Sequence, residues 1–213
     1  IANFYNTTFN TTMGVVKNVP ILKRKIKEIN VKFPTSNKTI LYQGVLNPGR
    51  GIKPMIKALH YLKNVDVIII GYGKVEKELK LFVKGEMLES RVHFLGRIPH
   101  DELPNYTRLA DIGMVLEEPL GLSFEYSLPN KLFDYIHAEL PIISGNLTEI
   151  SKVVKKNKVG LSLKDYQPET IANAVEELLQ NDELYKEIKS NQQKVKEQFC
   201  WEKEKQLLDN YFN

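Results

Sequence analysis

The residues best suited to chemistry lie between Leu116 and Ser144, where the chain reads LEEPLGLSFEYSLPNKLFDYIHAELPIIS. A loop carrying Pro119, Gly121 and Pro129 leads into a helix expected to start at Asn130, with Asn130 as its N-cap and Asp134 one turn inside. A helix start aimed at a ligand offers unpaired N–H donors and about half a positive charge, which suits a diphosphate. Lys131 would strengthen that field. Asp134 would accept two hydrogen bonds from the vicinal hydroxyls of a ribose, a task an ionised carboxylate does better than a neutral side chain. Residue chemistry alone leaves a second reading open, in which Asp134 only complements the helix dipole and Lys131 is solvated.

Other chemistries lack the residues they need. The segment GYGKVE at Gly71 has two glycines of a dinucleotide fingerprint but Glu76 in place of the third, which argues against an NAD site. The chain has no Gly-x-x-x-x-Gly-Lys-Ser/Thr, no Asp-x-Asp pair to hold a divalent cation against a diphosphate, and no Gly-x-Ser-x-Gly. The single cysteine, Cys200, cannot close an internal disulfide, and His60, His93, His100 and His137 have no zinc-ligand spacing. No structural metal and a reducing, cytoplasmic compartment are expected.

The elements that must position this segment are short apolar runs alternating with helical ones. The runs are TILYQG, VDVIIIG, RVHFLG, DIGMVL, LPIIS and VGLSL, and most are apolar nearly throughout, as strands buried on both faces should be. Helices are expected at about 52–62, 75–84, 101–109, 130–138 and 147–156, and only helices after Pro168. The pattern predicts an α/β fold: a Rossmann-like parallel sheet with helices on both faces and a helical C-terminus. Ligands of such sheets bind outside the carboxyl ends of the strands. There the sequence places Gly44, Gly71, Gly73 and Gly96, small residues that suit either tight turns or close approach of a ligand to the main chain.

The 213 residues fit one large domain or one and a half small ones, and 42% hydrophobic with 26% charged residues is an ordinary globular composition. A net charge of +4 is too small to argue for a nucleic-acid partner. The opening IANFYNTTFNTTMG has no initiator Met, charged n-region or apolar h-region and reads as the interior of a longer protein. Asn6, Asn10, Asn37 and Asn146 head Asn-x-Thr triplets that are expected to be chance sequons. Residues 15–38 lack an amphipathic stripe and read as a linker. Lys23, Arg24, Lys25 and Lys27 there form either a solvated face or a peripheral contact with an anionic membrane surface.

Four segments in register resemble the C-terminal, nucleotide-sugar-binding half of a GT-B glycosyltransferase, and family 4 most of all. They are YQGVLNPGRGI, IIIGYG, VHFLGRIPHDELPNYTRLADIGMVL and SLPNKLFDYIHAELPIIS, and WEKEKQLLDNYF is similar to the family's last helix. The resemblance implies that residues 1–38 are the end of a preceding domain plus a linker, and that residues 39–213 bind the donor. It puts Arg50, before Gly51, at the position of the family's diphosphate-binding lysine, with Val45 where a second basic residue is often found. Gly96, Arg97 and Ile98 match the turn whose main chain reads the base. The family's paired glutamates fall at Tyr126 and Asp134, so the ribose carboxylate is kept and the other is not. Ser127, Leu128, Pro129 and Asn130 would line the loop facing the sugar and distal phosphate.

The activity this implies is metal-independent, retaining transfer of a sugar from a nucleotide diphosphate to an acceptor hydroxyl in glycoconjugate or polysaccharide synthesis. Arg50 and Lys131 would stabilise the leaving diphosphate, with no cofactor beyond the donor. The implied partners are a glycan or lipid-linked acceptor and an N-terminal domain in cis, at a cytoplasmic or inner-membrane-surface location. Two other classes stay open: an epimerase or hydrolase on the same scaffold, and a non-catalytic nucleotide-binding module.

Overall fold

The computed structural model describes residues 2–22 and 26–212. Lys23, Arg24 and Lys25 lie outside the described residues, and Lys27 pairs with Glu102 at 2.8 Å. In chain order the elements are α1 (Ala2–Phe9), β1 (Lys38–Gln43), α2 (Ile52–Ala58), β2 (Val65–Ile70), α3 (Glu76–Gly85), β3 (Val92–Gly96), α4 (Leu103–Thr107) and β4 (Ile112–Val115). They continue with α5 (Leu122–Glu125), α6 (Asn130–His137), β5 (Ile142–Ser144), α7 (Thr148–Asn157), β6 (Gly160–Ser162), α8 (Pro168–Gln180), α9 (Asp182–Val195) and α10 (Trp201–Phe212).

Each expected run forms a strand, and all pair in parallel in the order β3-β2-β1-β4-β5-β6. Alternate residues of the apolar runs feed two cores. Ile40, Val67, Ile69, Ile112 and Met114 pack under α2, α3 and α8, while Leu41, Ile68, Ile70, Val115 and Ile142 pack under α6 and α7. Two covered faces explain why the strands read as continuous rather than alternating hydrophobics.

The order reverses between β1 and β4: β2 and β3 are laid down on one side, β5 and β6 on the other. At such a switch the loops leaving the two central strands turn apart and open a crevice at their carboxyl ends. The opposite end is held by polar side chains. Arg91 donates to the carbonyls of Leu59, Leu62 and Val65, and Asp111 accepts from the Thr39 amide and from Lys38.

Two helices were not expected: α1, and the short α5 inside the loop after β4. Neither has the long amphipathic stripe on which the periodicity reading depends. The start of α6 is corrected as well. Pro129 is the N-cap, in an extended conformation (φ −71, ψ 142), and Asn130 is the first helical residue. The Asn130 side chain is not used as a cap and accepts from Asn18 Nδ2 at 3.1 Å.

Helix α6 is latched to β1 by Tyr135. The fully buried Tyr135 hydroxyl accepts from the Gln43 amide at 3.1 Å and donates to the Leu41 carbonyl at 3.2 Å, and its ring lies where a side chain at Gly113 of β4 would be. Tyr135→Phe leaves a buried N–H without a partner and should cost about 1–3 kcal/mol, read as a lower urea midpoint at unchanged slope.

Candidate functional site

The crevice at the β1/β4 switch holds a pocket of about 480 Å³. Its floor is the end of β1, Tyr42 to Gly44; one wall is the loop after β4, and the other is the first turn of α6. Three charged side chains meet there. Glu117, the second residue past β4, has no exposure to solvent. Its Oε1 lies 2.8 Å from Lys131 Nζ and 3.3 Å from Arg50 Nη1. Its Oε2 is buried without a hydrogen-bond partner among the described residues. Two cations and one carboxylate leave this cluster with a net charge of +1.

Each cation is held by apolar surface as well as by charge. Lys131 Nζ sits 4.1 Å from the centre of the Tyr42 ring, and the Arg50 guanidinium lies 5.4 Å over Phe124. Such packing fixes long side chains that would otherwise sample many rotamers. Burial pulls the Lys131 pKa below the ordinary lysine value; Glu117 opposes the shift and Arg50 adds to it. Tyr166 buttresses the cluster by donating to the Glu117 carbonyl, and burial with nearby Glu117 pushes its phenol up to about 12.

Asp134 stands one turn further along α6. It accepts from Gln43 Nε2 at 3.1 Å, and Thr107 contacts Gln43 Oε1 at 2.8 Å. A carboxylate needs the N–H side of the amide, so it orients Gln43, and the Thr107 hydroxyl then donates to the amide oxygen. Gln43 also lines the Arg50–Lys131 pocket. Arg50 and Asp134 are therefore on the same rim, with Gln43 between them.

A family model described as "Glycosyl transferases group 1" matches residues 23–195, most of the chain. The chain belongs to this family. Among curated relatives, an uncharacterised glycosyltransferase of Methanocaldococcus jannaschii is 26% identical over 165 residues, 76% of this chain and 44% of the relative. A GDP-mannose-dependent alpha-(1-6)-phosphatidylinositol monomannoside mannosyltransferase of Mycobacterium tuberculosis is 27% identical over 146 residues, 66% of this chain and 38% of the relative. Among solved structures, sucrose-phosphate synthase of Thermosynechococcus elongatus superposes with TM-score 0.79 at 18% identity, over 99% of this chain and 55% of that one. Anabaena HepE in complex with UDP-glucose gives 0.77 at 18% identity, over 94% and 57%. This chain spans about half or less of the length of the curated relatives it matches.

In this member of the group 1 family the sheet and helices form a GT-B-type Rossmann-like unit. Of the residues singled out from sequence, Gly44, Arg50, Ser127, Pro129, Asn130 and Lys131 line the pocket, and Asp134 lies beside it. Leu128, half-buried, packs against the core that underlies α6, and Tyr126, 41% exposed, ends α5. Gly96 ends β3 and Arg97 and Ile98 begin the turn after it, two strands or about 10 Å from β1. Arg97 lies over the Tyr72 ring, and Ile98 packs against the core.

The glycines divide by role. At positive φ (138 and 68), a Cβ on Gly44 would make ordinary contact with the Tyr42 hydroxyl and one on Gly96 would face open space, whereas a Cβ on Gly73 would meet the Leu46 main chain and one on Gly51 the Leu116 carbonyl. Gly51 and Gly73 therefore serve loop-to-loop packing behind the rim. The glutamate and glutamine at 117 and 43 were not singled out from the sequence. The available signal was an acidic residue immediately after the apolar run DIGMVL, at the carboxyl end of a central strand.

Lys131 attracts anions only while protonated, and its lowered pKa brings the loss of that charge to a lower pH than for an ordinary lysine. Glu117→Gln raises the cluster's net charge to +2 and removes the group that supports Lys131 protonation. Because the ionisation of pyrophosphate is common to both proteins, the ratio of Glu117→Gln to wild-type affinity should exceed one at low pH and fall as pH rises, as followed by calorimetry across the pH range in which both stay folded.

Proposed function

We propose that this chain is the donor-binding unit of a glycosyltransferase and grips the diphosphate of a nucleotide sugar between Arg50, Lys131 and the first turn of α6. The observation that carries this reading is the convergence of Arg50 and Lys131 on one buried carboxylate at the switch-point crevice. Arg50 offers a planar fork of donors to phosphate oxygens and Lys131 a point charge. The first N–H groups of α6 have no partner within the helix and can add to both.

Transfer breaks the bond from the sugar's anomeric carbon to the phosphate oxygen and forms one to an acceptor hydroxyl, with retained configuration. Charge grows on the departing diphosphate as that bond breaks, and the two cations meet it in place of a divalent metal. Asp134, oriented by Gln43, accepts from the ribose hydroxyls. The family membership, the UDP-glucose complex of a similar structure and the GDP-mannose dependence in a relative's name all favour an activated sugar over other diphosphates. Acceptor recognition, of a glycan or a lipid-linked saccharide, then belongs to a further domain of the whole protein, and this chain alone transfers nothing.

Titration of the chain with UDP, GDP and ADP tests this. At least one should bind, with Arg50→Ala weakening it tenfold or more and Asp134→Asn abolishing preference for it over its 2′,3′-dideoxy counterpart. In the whole protein, Arg50→Ala should lower transfer about a hundredfold, and EDTA should leave transfer unchanged. Failure of all three nucleotides to bind, or binding indifferent to Arg50→Ala, would overturn the reading.

A further inference from the structure

We infer that the strap formed by residues 18–21, which precedes the sheet in sequence, is a wall of the nucleoside half of the donor site. This rests on the proposed donor reading and assigns residues that it does not use.

The strap crosses the molecule beside α6 and leaves a second cavity, of about 320 Å³, between itself and the rim. That volume falls in the ~300–1,000 Å³ range of small-molecule sites. One side is Asp134 and Asn130 of α6 with His100 from the turn after β3; the other is Asn18, Val19 and Ile21. Asn130 also lines the Arg50–Lys131 pocket, so the two cavities meet at the first residue of α6. A carboxylate and two amides facing apolar side chains suit a sugar diol joined to a flat, partly apolar ring. The phosphate end of such a molecule would pass Asn130 into the cationic pocket.

The strap is not a loosely laid loop. Asn18 donates to Asn130 Oδ1 at 3.1 Å. The Pro20 carbonyl accepts from the Trp201 amide at 2.9 Å, and the Leu22 amide donates to Glu202 at 3.0 Å. Glu204, only 3% exposed, takes the Lys17 amide at 2.8 Å and its ammonium at 3.0 Å. Glu202 and Glu204 both belong to α10, so the last helix fastens the strap in place. Glu204 is on this account a positioning residue, while Asn18 and Ile21 touch the nucleoside.

Calorimetry on the chain with UDP, GDP, ADP and inorganic pyrophosphate separates the outcomes. Ile21→Trp is the main variant, because Ile21 is half exposed and the change fills the cavity without disturbing the core. It should weaken the preferred nucleoside diphosphate at least tenfold, toward the pyrophosphate value, and change pyrophosphate binding less than twofold. Glu204→Gln should give a smaller loss, about threefold, with the same selectivity for the nucleoside. Wild type preferring a nucleoside diphosphate while Ile21→Trp and Asn18→Ala retain that preference in full would overturn the strap assignment alone. Equal losses for pyrophosphate would overturn it too, by making the strap a general support of the rim. A wild-type chain that binds no nucleoside diphosphate better than pyrophosphate would overturn the donor reading itself.

Discussion

A carboxylate removed from water costs several kcal/mol unless charge returns that energy, and Glu117 is completely buried. Its burial is tolerable only because Arg50 and Lys131 arrive from two other parts of the chain, the loop after β1 and the first turn of α6. The same condition runs in reverse for Lys131, which is 7% exposed and sits on an aromatic ring. The three side chains therefore lock three segments together where the sheet order reverses. An anion entering the crevice meets a cluster of fixed geometry with one positive charge to spare, so little reorganisation remains to be done on binding.

Helix α6 carries that geometry outward in several directions. Lys131 faces the cationic pocket, Asp134 the second cavity and Tyr135 the end of β1, while His137 donates to the Phe199 carbonyl at 2.8 Å just before α10. Burial holds His137 below the ordinary histidine value, in keeping with a neutral ring used as a donor. A helix only eight residues long would be marginal by its own propensity. These attachments, with Leu132, Phe133 and Ile136 in the core, are what hold it in place beside the crevice.

The parts legible in the sequence were those governed by burial and by local backbone chemistry. Runs such as VDVIII announce strands covered on both faces, and each was found as a strand. The segment NKLFDYIH, following a proline, announced a helix start to within one residue, the error arising because Pro129 itself supplies the extended cap. Less legible was anything decided by two distant segments. That Gly51 and Gly73 face the backbone of other loops, that Glu117 joins Arg50 to Lys131, and that Gln43 aims Asp134 depend on partners from other elements of the chain. Composition and periodicity carry no record of such meetings, and a resemblance supplied only those positions its motifs already cover.

The two ends of the sheet are built from different materials. At the strand starts, Arg91 clasps three carbonyls, Asp111 ties β1 to the turn before β4, and Asp66 is bonded by Asn37 and His93. The other end carries turns, a strap, the Tyr135 latch and the Arg50–Glu117–Lys131 cluster. Transient opening of this molecule should therefore spare β1, gripped by Asp111 at its first residues and by Tyr135 at its last, and begin in the half-buried edge strands β3 and β6, whose amides should exchange fastest in the sheet.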